Sequence, residues 1–166
     1  MHTVEKRDRI RELTDVPFPS SEAPDPLVLA DEDALVVSYI PATLSTGQAG
    51  VPSPEEAVAI VVFRQCYASH FGQPNDEAFV SHPLADRGLR PCGAFEVENS
   101  SWVRGLETRN RGHPHHDPLL FHRLRHWVWT FHDSVLECAA LSYAAFGAQD
   151  RPDDRLSRMQ QVLRSS

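Results

Sequence analysis

Six of the nine histidines lie between residues 113 and 137, together with two aspartates and one glutamate. Imidazole groups bind transition metals and transfer protons near neutral pH, so this composition indicates a metal site or an acid–base site. A third interpretation is a polar surface segment that leads into a buried aromatic strand. The residues that surround the histidines decide between these interpretations.

The metal hypothesis depends on four of these histidines. His122 and His126 have i, i+4 spacing, so their rings can converge if both lie on one helical turn. His115 and His116 precede them and can supply further ligands. The segment lacks the glutamate that follows the first histidine in the zinc motif His-Glu-x-x-His. We therefore expect no metal or other cofactor, and a His-cluster metal-binding protein remains the second alternative.

Acid–base chemistry is the favoured hypothesis, and its candidates lie near the ends of two predicted strands. His132 is the expected proton shuttle, with Asp133 and Glu137 close to it in the sequence. Glu96 and Glu98 share one face of a predicted strand, and paired carboxylates can differentiate into an acid and a base. The predicted catalytic set is His132, Glu98, Glu137 and Asp133, with Glu98 or Glu137 as the basic or orienting carboxylate.

Ligand contacts are expected from a polar loop and from an aromatic strand. Residues 73–93 read as a loop, where polar side chains are free to bind a ligand. Trp127, Trp129 and Phe131 share one face of a predicted strand and should face the core, and the other face carries His126, Val128, Thr130 and His132. The predicted ligand-binding residues are Asn75, Asp76, His82, Asn99, Trp127 and Trp129.

Composition and motifs narrow the classes of function. The net charge of −7 argues against nucleic-acid binding. No apolar run reaches the length of a membrane span, and the charged N-terminal stretch does not resemble a secretory signal, so we expect a cytoplasmic location. Ser100 and Ser134 lack the Gly-x-Ser-x-Gly pattern of hydrolases, and no glycine-rich phosphate loop occurs. The three cysteines lack metal-site spacing and are expected to be free thiols.

Local signals predict both strands and helices. Residues 27–40 resemble two short strands around an acidic turn, and residues 94–98 a third strand. Asn99 or Ser100 can begin the helix that follows, and Asp117 can cap a short helix that starts at Pro118. A helical turn at 54–57 is expected to lead into a long strand. Residues 135–146 are either a strand that returns from a hairpin at Asp133–Ser134, with Glu137 opposite Thr130, or an alanine-rich helix.

These elements indicate an α+β fold, with a mainly antiparallel four- to five-stranded sheet and two or three short packed helices. Residues 1–26 are rich in charge and proline and are expected to form a flexible arm. Residues 27–150 form the predicted domain, and residues 151–166 a polar tail with a faint amphipathic helix.

The favoured function is a small-molecule pocket lined by histidine and carboxylates, in a cofactor-free hydrolase, isomerase or lyase. The first alternative is a noncatalytic protein-binding or regulatory module that uses the acidic surface. We expect a small-molecule partner, no nucleic acid and no membrane, and the sequence leaves a homo-oligomer open.

Overall fold

The computed structural model describes residues 4–42, 57–149 and 154–166. Nine strands of these residues form two antiparallel sheets. One sheet has five strands in the order β1-β6-β7-β8-β5, and the other has four in the order β2-β3-β4-β9. The strands are β1 (Arg9–Glu12), β2 (Leu27–Ala30), β3 (Ala34–Tyr39), β4 (Ala57–Arg64), β5 (Ala68–Gly72), β6 (Gly93–Glu98), β7 (Arg125–Thr130), β8 (Val135–Ala140) and β9 (Ser142–Gln149).

The main core lies between the two sheets. Alternate residues of β7 supply Trp127 and Trp129 to this layer, and Phe131 continues the row, as their period of two predicts. From the opposite sheet Phe63 meets Trp129 edge-to-face, with 5.0 Å between ring centroids. The indole N–H of Trp129 donates to the Tyr39 hydroxyl at 3.3 Å. The prediction that the aromatic row faces the core is therefore confirmed.

Three helices of the described residues complete the α+β fold: α1 (Ser101–Asn110), α2 (Pro118–Arg123) and α3 (Arg155–Arg164). Ser100 caps α1 by accepting the N–H of Val103, and Asp117 caps α2 by accepting that of Leu119. Both predicted helices are confirmed. None of the described helices has the length and apolar content needed to cross a membrane.

The outer face of each sheet is also covered. Met159 of α3 is fully buried against the outer face of the four-stranded sheet. The five-stranded sheet is covered over one part by α1 and α2, through Val103 and Phe121. Over the other part it is covered by the long connection between β5 and β6, through Phe79 and Leu84. Side chains that point outward from β7 and β8 are consequently buried beneath these covers.

The segment after β7 is a hairpin and not a helix. A four-residue connection, 131–134, is closed by a hydrogen bond from the Phe131 N–H to the Ser134 carbonyl at 2.8 Å. Thr130 consequently pairs with Val135, and Glu137 lies opposite Val128. The predicted pairing of Glu137 with Thr130 is wrong, because it assumed a two-residue turn. Strand pairing on both sides of β8 outweighs the helical propensity of its alanines.

The N-terminal segment contributes to the sheet, which differs from the arm expected from its composition. Residues 9–12 form the edge strand β1, which pairs antiparallel with β6. Leu13 and Val16 are buried in the core between the sheets. The edge position accounts for the polar appearance of the strand, because its alternate residues remain exposed. Most of the helical turn expected at 54–57 lies outside the described residues.

Candidate active site

The predicted catalytic residues do not converge. The Nδ1 atom of His132 lies 3.0 Å from Asp133, and its Nε2 atom lies 3.4 Å from Asp76. These carboxylates raise the pKa of His132, with the hydrogen bond to Asp133 as the largest cause. This cluster therefore brings together three of the residues singled out in the sequence, but on an accessible turn: the His132 side chain is 40% exposed.

Glu98 lies at the opposite end of the same sheet. In the register of β6 and β7, Val97 pairs with His126, so Glu98 is at the beginning of β7 whereas His132 follows its end. Seven residues at about 3.3 Å each separate these positions by roughly 23 Å. Glu98 lies 3.4 Å from the guanidinium of Arg11. A site that uses both Glu98 and His132 is thus excluded by the strand direction.

The other predicted ligand contacts are dispersed. Asn75 accepts the N–H of Ala78 and stabilises a turn, and Asn99 adopts a left-handed conformation in the β6–α1 turn (φ 55°). Trp129 is completely buried in the core, whereas Trp127 reaches the wall of a cleft between the sheets. His82 lies elsewhere, beneath the outer cover of the sheet, where it meets Glu137.

The histidines of the metal hypothesis also lie apart. Helix α2 ends at Arg123, so His122 is on an exposed helix and His126 is on a buried strand. The i, i+4 geometry therefore does not form. His116 contacts Asn110 at 2.8 Å, and His115 is exposed beside His113. No group of three or more potential metal ligands occurs in the part of the chain that the structure describes.

The structure instead assembles a buried chain of polar side chains on the outer face of the five-stranded sheet. His126 of β7 and Glu137 of β8 both point outward, and their Nε2 and Oε2 atoms are 2.8 Å apart. On the other side of the ring, His126 Nδ1 is 2.9 Å from the Ser100 hydroxyl. We call Ser100, His126 and Glu137 the relay. All three residues are at least nine-tenths buried.

The hydrogen-bond partners of the relay indicate which of its atoms carry protons. A hydroxyl has one proton to donate, and Ser100 already accepts the Val103 N–H at 3.2 Å. Its proton is therefore available to His126 Nδ1. The neutral ring then carries its proton on Nε2 and donates it to the Glu137 carboxylate. This is the arrangement in which a histidine can remove the proton of a serine hydroxyl.

A second histidine supports the carboxylate end of the relay. The Leu84 N–H points to His82 Nδ1 at 3.2 Å, so that nitrogen is an acceptor and the ring proton is on Nε2. His82 Nε2 lies 3.6 Å from the other oxygen of Glu137. Glu137 thus has a histidine ring nitrogen near each of its oxygens.

The serine end of the relay is held by contacts from the N-terminal segment. The Asp8 carboxylate accepts the Ser101 N–H at 3.0 Å and also the Ser101 hydroxyl. Arg104 approaches Asp8 at 3.5 Å and donates to the Asn99 carbonyl. The ring of Trp102 packs edge-on against His126, with 4.7 Å between centroids. These contacts fix the β6–α1 turn and hence the position of Ser100.

The relay reaches the surface through one cleft. This cleft has a volume of about 320 Å³, and both Ser100 and His126 line it. Val103, Phe121 and Leu124 form its apolar wall, and Arg104 and Arg125 lie among its polar residues. We call it the relay cleft. A small molecule in it would therefore meet a serine hydroxyl backed by histidine and glutamate.

Sequence reasoning found these groups separately but not together. Glu137 and His82 were site candidates, His126 was a metal candidate, and Ser100 was a helix cap. Alternation along β7 already placed His126 on the face opposite the tryptophans. The missing information was the length of the hairpin connection, which brings Glu137 diagonally across from His126.

The amino-acid sequence matches no protein-family model, and no curated protein or solved structure is significantly similar to it.

Proposed function

We propose that the protein is a cofactor-free hydrolase of small carboxylic esters. Ser100 is the nucleophile, His126 the general base and acid, and Glu137 the carboxylate that orients the histidine. The observation that carries this proposal is the relay, with distances of 2.9 Å from serine to histidine and 2.8 Å from histidine to glutamate. A serine is a weak nucleophile unless an adjacent base removes its proton, and this geometry supplies that base.

The reaction follows from the proton positions. Ser100 Oγ attacks the ester carbonyl carbon while its proton moves to His126 Nδ1, and Glu137 stabilises the imidazolium that results. The imidazolium then gives this proton to the departing alkoxide, which leaves as an alcohol, and an acyl-serine remains. Water attacks the acyl carbon and gives a proton to His126, which returns it to Ser100 as the carboxylic acid departs. Atoms, charge and protons balance over the cycle.

The Ser100 position favours this chemistry electrostatically. The Val103 N–H and the N-terminus of α1 both place positive potential at Oγ, which stabilises negative charge that develops there. Arg104 lines the same cleft and brings a cation beside it. The Asp8 carboxylate is held by Ser101 and Arg104, so its charge is partly balanced.

Burial of the relay is a second reason to assign it a function. An ionisable pair that is buried beneath the cover of a sheet loses its hydration, which costs free energy. Two apolar side chains of similar volume would often give the fold the same stability or more. Ionisable groups that are buried beside a cleft are therefore candidates for a functional site. The small size of the relay cleft and its apolar wall indicate a compact ester with a short apolar acyl group.

The test is hydrolysis of p-nitrophenyl acetate and butyrate by the purified full chain. The Ser100→Ala variant should lose at least about 10³-fold in kcat/KM, and the Ser100→Cys variant should retain measurable turnover. Asp117→Ala is the matched control, because it removes the cap of α2 at the same cost of about 1 kcal/mol and leaves the relay intact. Hydrolysis that persists in Ser100→Ala, or that is absent from the parent protein, would refute the proposal.

The cellular location and the binding partners of the protein are also proposals. We propose a cytoplasmic location and a small-molecule substrate, and we infer from the acidic net charge of −7 that the protein does not bind nucleic acid. Sedimentation of the purified chain would test whether it forms a homo-oligomer.

A further inference from the structure

A second cleft opens on the other face of the five-stranded sheet. It lies between the two sheets at the end where β6 finishes and β7 begins, and its volume is about 800 Å³. Glu96 and Trp127 of the five-stranded sheet line it, together with Tyr143 and Ala145 of β9. We call it the inter-sheet cleft. Its size is in the range of pockets that bind small organic molecules.

The carboxylates of this cleft already have partners. Glu96 is buried and accepts a hydrogen bond from the guanidinium of Arg11. Glu98 lies 3.4 Å from the same guanidinium. Both oxygens of Asp15 lie 2.8 Å from the Tyr143 hydroxyl, which can donate to either of them. A cationic ligand would therefore have to displace existing contacts.

Arg125 differs from these groups. Its Nη1 atom lies 3.8 Å from Glu96, beyond hydrogen-bond distance, and it makes no hydrogen bond to another residue of the described part of the chain. Its side chain is 59% exposed at the mouth of the cleft. A guanidinium presents paired N–H groups that match the two oxygens of a carboxylate. Arg125 therefore forms a loose ion pair with Glu96 and keeps its N–H groups available to a ligand carboxylate.

The wall beside Arg125 is aromatic and incompletely hydrogen-bonded. Trp127 lies on the same face of β7 as Arg125, and its ring meets Tyr143 edge-to-face at 4.8 Å. The indole N–H of Trp127 is buried and has no acceptor among the described residues. Ala145 continues the wall with a small apolar side chain. Such a wall accommodates a flat apolar group.

We propose that the inter-sheet cleft binds a small aromatic carboxylate. Its carboxylate pairs with the guanidinium of Arg125, and its ring lies against Trp127 and Tyr143. This site is separate from the proposed ester hydrolysis, because Trp127 and Tyr143 do not line the relay cleft. Arg125 contributes to both clefts, so the test must distinguish them.

The experiment is isothermal titration of the full chain with benzoate, and with benzylamine as the cationic counterpart. Benzoate should bind and benzylamine should not. Arg125→Gln should weaken benzoate binding at least tenfold, whereas Arg123→Gln, an exposed arginine outside both clefts, should bind as the parent does. Ser142→Trp should also abolish binding, because Ser142 is an exposed lining residue of the inter-sheet cleft alone. Thermal melts confirm that each variant is folded.

Two further variants separate this site from the relay. His122→Gln alters the relay cleft but not the inter-sheet cleft, and Ser100→Ala removes the proposed nucleophile. Both should bind benzoate with unchanged affinity, so a failure of the hydrolase proposal leaves this result intact. The inference is overturned if benzoate does not bind at 10 mM, roughly the weak limit of a useful site. It is also overturned if benzylamine binds in its place, or if Ser142→Trp binds normally.

Discussion

Replacement of Glu137 by glutamine tests how the relay sets the proton position on His126. The change removes the charge and puts an N–H₂ group beside two ring nitrogens, His126 Nε2 at 2.8 Å and His82 Nε2 at 3.6 Å. His82 cannot adjust, because the Leu84 N–H holds its Nδ1 atom as an acceptor. His126 can adjust only if its proton moves to Nδ1, where it would point at Ser100. In that tautomer the histidine cannot remove the serine proton.

The cost to stability follows from the contacts that change. A hydrogen bond to a charged group contributes about 1.5–3 kcal/mol, and a neutral one about 0.5–1.5 kcal/mol. The exchange of a charged for a neutral hydrogen bond at His126, together with the change of its tautomer, should therefore cost about 1–3 kcal/mol. For a chain of this length each kcal/mol lowers Tm by about 2–4 °C, which predicts a decrease of about 2–12 °C. Ester turnover should fall much further, by about 10³- to 10⁴-fold, as a wrong histidine tautomer does in serine hydrolases.

The assays are a thermal melt and ester hydrolysis on the same preparation. Glu107→Gln is the control, because this glutamate forms a more exposed ion pair with Arg111 at 3.1 Å, and solvent screening leaves such a pair little effect on stability. Turnover of Glu137→Gln within tenfold of the parent would show that Glu137 does not orient the base. An unchanged Tm would show that its contacts to the two histidines contribute nothing to the fold.

Three further predictions follow from the fold. Trp129→Ala should destabilise the protein by about 3–5 kcal/mol in urea unfolding, because Trp129 is completely buried between Phe63 and Tyr143; a loss below 1 kcal/mol would contradict this packing. Removal of residues 1–24 should cost at least about 3 kcal/mol through the loss of buried Leu13 and Val16, together with β1 and Asp8, and an unchanged Tm would show that the segment is dispensable. Asp133 and Asp76 raise the pKa of His132 from its ordinary value of 6.5, so its protonation stabilises the folded state; this contribution is complete below about pH 6.5 and is lost as pH rises through the raised pKa. His132→Gln should thus lower Tm more at pH 6 than at pH 8 and leave ester turnover unchanged; an equal effect at both pH values would contradict the pairing.

The features of the fold that are set by residues close together in the sequence could be predicted from it. The alternation of β7 predicted which face carries Trp127 and Trp129, and the caps Ser100 and Asp117 predicted where two helices begin. Each of these signals depends on side chains within four residues of one another. The α+β class and the antiparallel pairing were confirmed for the same reason, since turns and strand patterns are local.

The site depends on contacts that are distant in the sequence. His82 reaches Glu137 across a long loop, and Asp8 reaches Ser101 over a separation of 93 residues. The register of β7 and β8 depends on the length of their connection, which is four residues, and no residue in that connection indicates this length. A register error of two residues placed Glu137 opposite Thr130 and near His132, whereas Glu137 lies opposite Val128 and contacts His126. The sequence predicted one sheet of four or five strands, whereas the structure has two sheets. The edge strands β1 and β5 have exposed residues and therefore lack the apolar pattern by which a strand is recognised.

The most direct test of the central claim is covalent labelling by a fluorophosphonate, which reacts with a serine only where a base activates its hydroxyl. After treatment of the full chain, intact-mass spectrometry should show one phosphonyl adduct, and peptide mapping should place it on Ser100. Ser100→Ala should take up no label, and Asp117→Ala should be labelled like the parent. An unlabelled parent protein, or an adduct on any other serine, would show that Ser100 is only the cap of α1 and would contradict the proposed mechanism.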